Sequence, residues 1–495
     1  MASTADERPP VAWRLIGPFA AGTTALLLAV ANRYGFHRDE LYFIQCGRHL
    51  AWGYIDQPPL IPLLARFQTA IFGDTTPLTI RWLPALLAGV TVLLTGLLAR
   101  AMGGGRVPQA LAAGIAAISP LTLISGHLLS TTTVDLTLQV AMCLVIVMII
   151  RDDRPADRRW LLVGLLAGLD LENKDLVTML AVALATGLLV AGPRRVFADR
   201  WLWLGAVLAV LLWLPNLLWQ IHHHWPQLTM AHRISAVDGV SNRVNAVPLQ
   251  LLMFTPLLAA ILVAGLVRLL RPNRWRALGV AFVVMLLLVL ITGGKGYYTG
   301  ALLYVLAAAG ALATEAWLAR GRRAARPALL GAAGVLALAN ALPLALPLLS
   351  PSTLHQTPIV QINYDAGETV GWPAFVRTVH RVVDGMDADE RARAVVFTGN
   401  YGEAGALQHA GGFPPVYSGH NGYMLWGRPP DSRTAVVVVG YSRNYIDRYF
   451  TGCTLAAHID NGQQVDNDEQ GTAVWRCQGL TASWARLWPH LKHYY

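Results

Sequence analysis

Charged residues are scarce in this chain. Asp, Glu, Lys and Arg together make up 14% of its 495 residues, whereas hydrophobic residues make up 54%. The mean hydropathy is +0.44, a value that is hard to reconcile with a soluble enzyme. The chain is therefore predicted to be a multi-spanning membrane protein.

Nucleotide-binding motifs are also missing. Gly399, Gly402 and Gly405 do not have the spacing of a dinucleotide-binding or P-loop motif and instead predict a turn between a strand and a helix. The run His222–His224 is a poor metal site, because three consecutive residues cannot easily supply three ligands to one metal. No internal repeat relates the two halves of the hydrophobic region, as it does in many transporters. These absences count against a nucleotide-sugar enzyme and against a transporter.

Hydrophobic runs dominate the first 349 residues. A window of about 19 residues finds about eleven apolar spans. They lie at residues 13–31, 80–98, 107–124, 134–150, 160–169, 176–190, 201–219, 248–267, 277–291, 297–318 and 328–349. The fifth span is shorter than the roughly 17 residues that a crossing requires. It is expected to cross only with the support of its neighbours.

Arginines alternate between the connections of this array. Five arginine-rich connections fall on one side under a single assignment, and this side is predicted to be cytoplasmic. Their arginines are Arg100 and Arg106; Arg151, Arg154, Arg158 and Arg159; Arg194, Arg195 and Arg200; Arg268, Arg271, Arg274 and Arg276; and Arg320, Arg322, Arg323 and Arg326. The N-terminus is then cytoplasmic and the C-terminus lies outside the cell membrane. The net charge of +10 reflects this topology, so no nucleic-acid partner is predicted.

The first outer loop carries the strongest candidate for chemistry. It contains Tyr34-Gly-Phe-His37-Arg38-Asp39-Glu40-Leu-Tyr42 and then Tyr54-Ile-Asp56-Gln57-Pro58-Pro59-Leu60. Adjacent carboxylates at a membrane surface are costly unless they have a function, and a plain loop needs neither flanking aromatics nor a rigid Pro-Pro element. We therefore expect Asp39 and Glu40 to be catalytic and Asp56 and Gln57 to bind substrate.

Other polar candidates lie where predicted spans meet the outer side. Asp135 opens the fourth span, and its alternative explanation is a favourable interaction with the first turn of that helix. Glu172, Lys174 and Asp175 follow the fifth span, and their alternative explanation is a solvated turn. The competing interpretations of these residues stay open at this point.

Lysine is the rarest cation here, with only Lys174, Lys295 and Lys492 in the whole chain. Lys295 lies in Gly293-Gly-Lys-Gly-Tyr297-Tyr298, where glycines let the backbone approach a ligand and an ammonium can pair with a phosphate. The alternative is a flexible turn with a lysine that extends to the membrane surface. We expect a phosphate clamp, with the two tyrosines as substrate-binding residues.

The chain changes character after Leu349. Polar residues, turn signals and β-branched runs such as Ala394–Phe397 and Ala435–Val439 replace the bilayer-length spans. Residues 1–349 are therefore predicted to be a transmembrane domain and residues 350–495 a soluble, extracytoplasmic α/β domain. A disulfide between Cys453 and Cys477 is permitted on that side of the membrane, whereas Cys46 and Cys143 are expected to be unpaired.

These features together resemble the polyprenyl-phosphate-dependent GT-C glycosyltransferases. The resemblance is to glycosyltransferase family 39, the group of the protein O-mannosyltransferases and the aminoarabinose transferases. It rests on the Asp39-Glu40 pair, on Pro58-Pro59-Leu60 downstream, on Asp135 and on the soluble outer tail. It implies a GT-C-like membrane domain and transfer of a sugar, with inversion, from a polyprenyl-phosphate donor to an acceptor hydroxyl.

The resemblance also implies roles for individual residues. Asp39 corresponds to the general base, Glu40 supports it, and Asp135 is a second acidic group near the sugar or the acceptor. The aminoarabinose branch has a lysine where this chain has Gln57, so the phosphate contact is assigned to Lys295, with Lys174 and Arg243 as further candidates.

The expected partners are the lipid-linked sugar donor, the membrane, and a glycan, lipid or protein acceptor. No cofactor is firmly predicted, although Asp39, Glu40 and Asp56 are candidates to hold a divalent cation. The main alternative function is a transporter or flippase of lipid-linked sugars, in which the charged groups line a translocation path. A ligase that moves a preassembled glycan shares the same chemistry and differs only in the size of its substrate.

Overall fold

The computed structural model describes residues 9–320 and 324–494, so Arg322 and Arg323 of the last predicted inner loop lie outside the described residues. The chain forms two compact units. The first comprises the described residues up to Ala31, Arg81–His224 and the described residues of Ile234–Leu346; the second comprises Asn32–Ile80, Trp225–Arg233 and the chain from Pro347 onward. The predicted domain boundary after residue 349 stays a prediction.

Helices make up the chain as far as Ala345. They are α1 (Trp13–Val30), α2 (Arg38–Arg48), α3 (Leu60–Phe72), α4 (Leu78–Ala101), α5 (Arg106–Ala117), α6 (Pro120–His127), α7 (Thr131–Asp152), α8 (Arg159–Leu171), α9 (Val177–Ala191), α10 (Arg200–His222), α11 (Pro226–Met253), α12 (Ala259–Leu270), α13 (Arg276–Thr292), α14 (Gly300–Ala319) and α15 (Ala325–Ala345). The predicted class of a multi-spanning α-helical protein is confirmed.

Among the described residues, six helices are long and apolar enough to cross a membrane, or up to eight spans if each of two bent helix pairs counts as one. Helices α3, α9 and α13 are apolar but shorter. Each of the eleven predicted spans overlaps a helix, but the number of crossings is not confirmed.

Two predicted spans are not straight. The third bends by 54° between α5 and α6, where Ser119 caps the new helix and Pro120 has no N–H to continue the old one. The eighth bends by 75° between α11 and α12, where Thr255 has a φ of 62° before Pro256. A hydropathy window averages over such breaks and therefore missed both.

Glycines allow close helix packing in the first unit. A Cβ atom on Gly164 of α8 would lie 2.1 Å from the carbonyl oxygen of Gly205 on α10, and one on Gly187 of α9 would lie 2.2 Å from that of Ala277 on α13. Small residues at such crossings are typical of membrane helices, where van der Waals contact drives association. This packing holds α8 against α10 and α9 against α13.

The chain beyond Pro347 forms helices around a mixed sheet. The helices are α16 (Pro351–Leu354), α17 (Ile359–Ile362), α18 (Trp372–Asp384), α19 (Ala388–Ala392), α20 (Tyr401–Ala410), α21 (Arg443–Tyr449) and α22 (Trp484–Leu491); the strands are β1 (Ala394–Thr398), β2 (Val416–Ser418), β3 (Ala435–Val439), β4 (Phe450–Thr451), β5 (Thr454–His458), β6 (Ala473–Cys477) and β7 (Gly479–Leu480). The main sheet has the order β2-β1-β3-β6-β5, and β1 runs parallel to β2 and β3.

The apolar residues of β1 and β3 explain this sheet. Both strands are buried along their whole length, as expected of β-branched runs in a parallel pair. Phe397 packs against Trp484 and Trp488 of α22 on one face. The predicted turn after β1 is confirmed, because α20 begins three residues after the strand ends. Cys453 and Cys477 form a disulfide, and Cys46 and Cys143 are free and buried.

Candidate active site

The first turn of α2 places the two adjacent acids, Asp39 and Glu40, in different environments. His37 caps the helix and its Nδ1 accepts a hydrogen bond from the backbone N–H of Asp39 (3.2 Å). The Glu40 carboxylate accepts one from the N–H of His37 (2.8 Å) and is completely buried. This reciprocal capping box uses Glu40 to start the helix. The Asp39 side chain is 36% exposed, so it alone of the pair faces the surroundings.

Two groups hold one oxygen of the Asp39 carboxylate. The hydroxyl of Tyr401, the first residue of α20, donates a hydrogen bond of 2.8 Å to Oδ1. The Nε of Arg38 lies 3.8 Å from the same oxygen. Nδ1 of His37 lies 3.9 Å from Oδ2, and no hydrogen bond from another described residue reaches that oxygen. One carboxylate oxygen is therefore fixed, and the other can accept a proton from a bound molecule.

Arg38 is anchored on its other side by acidic and phenolic groups. Its guanidinium donates to the Tyr364 hydroxyl at 3.0 Å and lies 3.5 Å from the Glu368 carboxylate, and it also pairs with Asp468. Burial raises the pKa of Glu368, although Arg38 opposes this effect. The pKa of His37 is also raised, since burial lowers it but the Asp39 and Asp365 carboxylates outweigh that effect.

Asp56 is partly buried beside aromatic residues. The Tyr42 hydroxyl donates a hydrogen bond of 3.0 Å to Asp56 Oδ1 and accepts one of 3.0 Å from the N–H of Gly422. Burial raises the pKa of Asp56 to about 7, even though the Tyr42 hydrogen bond acts in the opposite direction. The rings of Tyr42 and Tyr401 are 4.6 Å apart. Two tyrosines in contact thus hold Asp39 and Asp56, one carboxylate each.

Gln57 precedes the Pro58-Pro59 element and is 4% exposed. Its carbonyl accepts a hydrogen bond from the N–H of Tyr54 (2.9 Å), which closes a tight turn before α3. Within residues 9–320 and 324–494, its side-chain Nε2 has no hydrogen-bond partner. An unpaired buried donor is costly, so this amide is a suitable contact for a substrate oxygen.

In the first unit, Asp135 lies beyond the first turn of α7 and is buried. The amide of Gln139 donates a hydrogen bond of 2.7 Å to its Oδ1. Asp170, at the end of α8, and Lys174 both interact with it electrostatically. The interaction with the helix N-terminus does not account for this placement, because a macrodipole acts mainly within the first turn.

Lys174 connects these acids to the predicted tyrosines. Its backbone N–H donates to the carbonyl of Asp170 (2.6 Å). Its ammonium lies over the rings of Tyr297 and Tyr298, at 5.0 and 5.3 Å from the two centroids. An ammonium above two aromatic faces is oriented by them, and the Asp135 carboxylate attracts it electrostatically. The Lys174 side chain is therefore held by its neighbours, which a solvated turn does not predict.

The other two predicted cations differ from Lys174. Lys295 precedes the 3-10 turn Gly296–Thr299 and interacts electrostatically with Tyr298. Gly293 has a φ of 67° and ends α13, which explains one of the glycines beside it. Arg243 donates to the carbonyls of Leu290 (3.0 Å) and Ile291 (3.3 Å), so it stabilises the end of α13. The structure thus brings Asp135, Lys174, Tyr297 and Tyr298 together, with Lys295 beside them.

No group of three or more His, Cys, Asp or Glu side chains among the described residues could hold a metal ion. In particular, the Glu40 carboxylate is engaged in the helix cap. The predicted trio of Asp39, Glu40 and Asp56 therefore does not fit a divalent cation.

Sequence reasoning missed Tyr401, which is separated from Asp39 by 362 positions. It also left out Asp170, although the sequence places this acid at the end of a predicted span. The aromatic residues around Asp39-Glu40 were noted, and Tyr42 is one of them. No local pattern could have paired a tyrosine of the tail with an acid of the first loop.

Part of the chain and the whole fold are similar to known proteins. Residues 56–219 match the model of a family described as dolichyl-phosphate-mannose-protein mannosyltransferase. No curated protein matches the sequence. Among solved structures, ArnT from Cupriavidus metallidurans in the apo state is similar over 94% of this chain and 98% of that chain, at 12% identity and a TM-score of 0.57.

Two further solved structures are similar. ArnT from the same organism bound to undecaprenyl phosphate has 15% identity and a TM-score of 0.56 over the same shares of both chains. The arabinofuranosyltransferase AftD from Mycobacteria has 17% identity and a TM-score of 0.51, over 94% of this chain and 40% of that chain. At these identities the matches show a shared fold.

Proposed function

We propose that this chain, which is a glycosyltransferase of the GT-C class, transfers a sugar from a polyprenyl-phosphate donor to an acceptor hydroxyl with inversion at the anomeric carbon. The reaction takes place on the outer face of the cell membrane, with the N-terminus of the chain inside and the C-terminal domain outside. The observation that carries the proposal is the Asp39 carboxylate, which is partly exposed and accepts a hydrogen bond from the described residues through one oxygen only.

Asp39 acts as the general base. Its Oδ2 takes the proton of the acceptor hydroxyl while the acceptor oxygen forms a bond to the anomeric carbon. The bond between that carbon and the phosphate oxygen breaks, and the polyprenyl phosphate leaves with the electron pair. Glu40 supports this step indirectly, because its cap on α2 fixes the backbone that carries Asp39.

The donor phosphate is bound by Lys174. Its ammonium, held above Tyr297 and Tyr298, supplies a positive charge and its hydrogen bonds to the phosphate. Asp135 orients the ammonium. Lys295 is a second phosphate contact, and Arg243 is a weaker candidate because it binds the end of α13. The structure of ArnT bound to undecaprenyl phosphate supports this class of donor lipid.

Asp56 and Gln57 bind the hydroxyl-rich part of a substrate. The amide Nε2 of Gln57 is a donor without a partner among the described residues, and Asp56 is an acid that takes up a proton near neutral pH. Both can therefore exchange hydrogen bonds with a sugar. A transporter of lipid-linked sugars is not favoured, since the matching family model is described as a mannosyltransferase and the similar structure AftD as an arabinofuranosyltransferase.

The test is sugar transfer in membranes that contain the protein. Radiolabelled mannose, arabinose or glucose on undecaprenyl phosphate serves as donor, and the unmodified protein is compared with Asp39→Asn. Loss of a general base lowers the rate by about 10²- to 10⁴-fold. The matched control is Asp447→Asn, which neutralises an exposed aspartate paired with Arg443 on α21. It should transfer at the unmodified rate.

Equal transfer by Asp39→Asn and the unmodified protein would remove Asp39 from the mechanism. Failure of every donor, in protein that is inserted and folded, would reject the donor class. A product with retained anomeric configuration would contradict the inverting step.

A further inference from the structure

We propose that Tyr401 is a positioning residue for Asp39, which it holds so that Oδ2 is the oxygen that accepts the proton. This inference rests on the proposed function, because it needs Asp39 to be the base. Tyr401 is the first residue of α20, in the chain beyond Pro347, whereas Asp39 lies in the first turn of α2.

Close helix packing brings the two residues together. Helix α20 lies against α2, and a Cβ atom on Gly405 would lie only 3.1 Å from the backbone of Leu41. Two positions N-terminal to Asp39, His37 fixes the start of α2, and Asn400 and Glu403 form the corresponding cap on α20. Both caps fix the first turns of their helices, and Asp39 and Tyr401 lie in those turns.

The Tyr401 ring is enclosed on several sides. It lies 4.6 Å from the ring of Tyr42 and 4.9 Å from that of His420, and the Arg38 guanidinium is 5.5 Å from its centroid. Burial, reinforced by the neighbouring Asp39 carboxylate, raises the pKa of Tyr401 well above its usual value. The hydroxyl therefore keeps its proton and remains a hydrogen-bond donor.

A fixed donor on Oδ1 determines what Oδ2 can do. An aspartate side chain rotates readily about its terminal bond, and such a rotation would move the basic oxygen away from the acceptor hydroxyl. The 2.8 Å bond from Tyr401 holds one orientation. Positioning of this kind can account for about a hundredfold in rate. The arrangement therefore favours a role in the chemical step and not in donor binding.

The test compares Tyr401→Phe with Tyr423→Phe. Both changes keep the ring and remove one hydroxyl that donates a 2.8 Å hydrogen bond, to Asp39 in the first case and to the Gln408 side chain in the second. Using the same undecaprenyl-phosphate donors, we expect Tyr401→Phe to lower kcat by about 10- to 100-fold and to change the donor KM by less than about twofold. Tyr423→Phe should keep the unmodified kcat.

Rates are expressed per folded protein, and the melting temperatures of the two variants should agree. An unchanged kcat in Tyr401→Phe, an equal loss in Tyr423→Phe, or a rise in KM without a fall in kcat would each overturn the role of Tyr401. The Asp39→Asn variant separates the two claims. If Asp39→Asn is inactive while Tyr401→Phe is fully active, only the positioning role fails; if Asp39→Asn is active, the base and its positioning residue fail together.

Discussion

The two candidate clusters differ in how their charged groups are held. In the second unit, tyrosine hydroxyls hold Asp39 and Asp56, and Asp39 keeps one oxygen without a hydrogen bond from the described residues. In the first unit, Lys174 lies above the faces of Tyr297 and Tyr298 and interacts electrostatically with Asp135. A carboxylate with an unoccupied oxygen suits proton transfer, whereas an oriented ammonium suits an anion. The difference predicts that the clusters affect different kinetic constants.

The largest effect is expected from Lys174→Met. The change removes the cation that is assigned to the donor phosphate, and the loss of one partner from a desolvated charge pair typically costs several kcal/mol. Binding of undecaprenyl phosphate should weaken about a thousandfold, or by roughly 4 kcal/mol. Titration of the purified variant with undecaprenyl phosphate measures this change in the dissociation constant.

Lys492→Met is the matched control, since Lys492 is an exposed lysine close to the C-terminus. It should bind undecaprenyl phosphate with unchanged affinity. Unchanged binding by Lys174→Met would contradict the assignment of Lys174 to the donor phosphate.

The next effect concerns the second unit alone. Cys453 and Cys477 close a loop of 24 residues, so replacing both by serine should lower the free energy of unfolding by about 3 kcal/mol. Denaturant unfolding of the double variant measures this loss. Replacement of Cys143, a free cysteine of the first unit, by serine serves as control for the loss of a thiol. A double variant as stable as the unmodified protein would contradict the prediction.

A smaller effect separates Asp56 from Asp39 within the same unit. Burial raises the pKa of Asp56 to about 7, whereas an aspartate in an unfolded chain has a pKa of about 3.9. The folded protein therefore holds this proton more tightly than the unfolded chain. Its contribution to stability is complete below pH about 4 and is lost as the pH rises to about 7.

Asp56→Asn should reduce the change in the free energy of unfolding between pH 4 and pH 7 by about 2 kcal/mol. This is roughly half of what the full pKa difference would give, because Asp56 is only partly buried. Thermal unfolding between pH 4 and pH 8, at steps of about one unit, measures the slope. Glu403, whose pKa burial also raises to about 7, keeps a similar slope in the variant. An unchanged slope in Asp56→Asn, equal to that of the exposed-site control Asp447→Asn, would show that Asp56 titrates normally.

Local sequence patterns predicted much of the fold. Each of the eleven predicted apolar runs overlaps a helix, and the β-branched runs 394–397 and 435–439 mark two paired strands. The GT-C-like fold is confirmed by the similar structures, and the match of residues 56–219 to a mannosyltransferase family model agrees with the predicted glycosyltransferase class. The breaks at Ser119-Pro120 and Thr255-Pro256 were missed because an average over about 19 residues hides a local bend.

The candidate site was predicted only where its signal is local. The pair Asp39-Glu40 stands out in the first loop, but the capping role of Glu40 is hidden, because capping boxes usually begin with Ser or Thr and this one begins with His37. The contact between Tyr401 and Asp39 joins residues 362 positions apart. Tertiary packing of α2 on α20 creates this contact, and no local pattern in a single sequence predicts a contact between residues so far apart.

The most direct test measures the binding of undecaprenyl phosphate to Asp39→Asn together with the turnover of sugar-linked undecaprenyl phosphate by the same variant. If Asp39 is the base, the affinity stays within about twofold of the unmodified protein and the turnover falls about a thousandfold. Loss of binding along with turnover would place Asp39 in donor recognition. Undiminished turnover would contradict its role as the base.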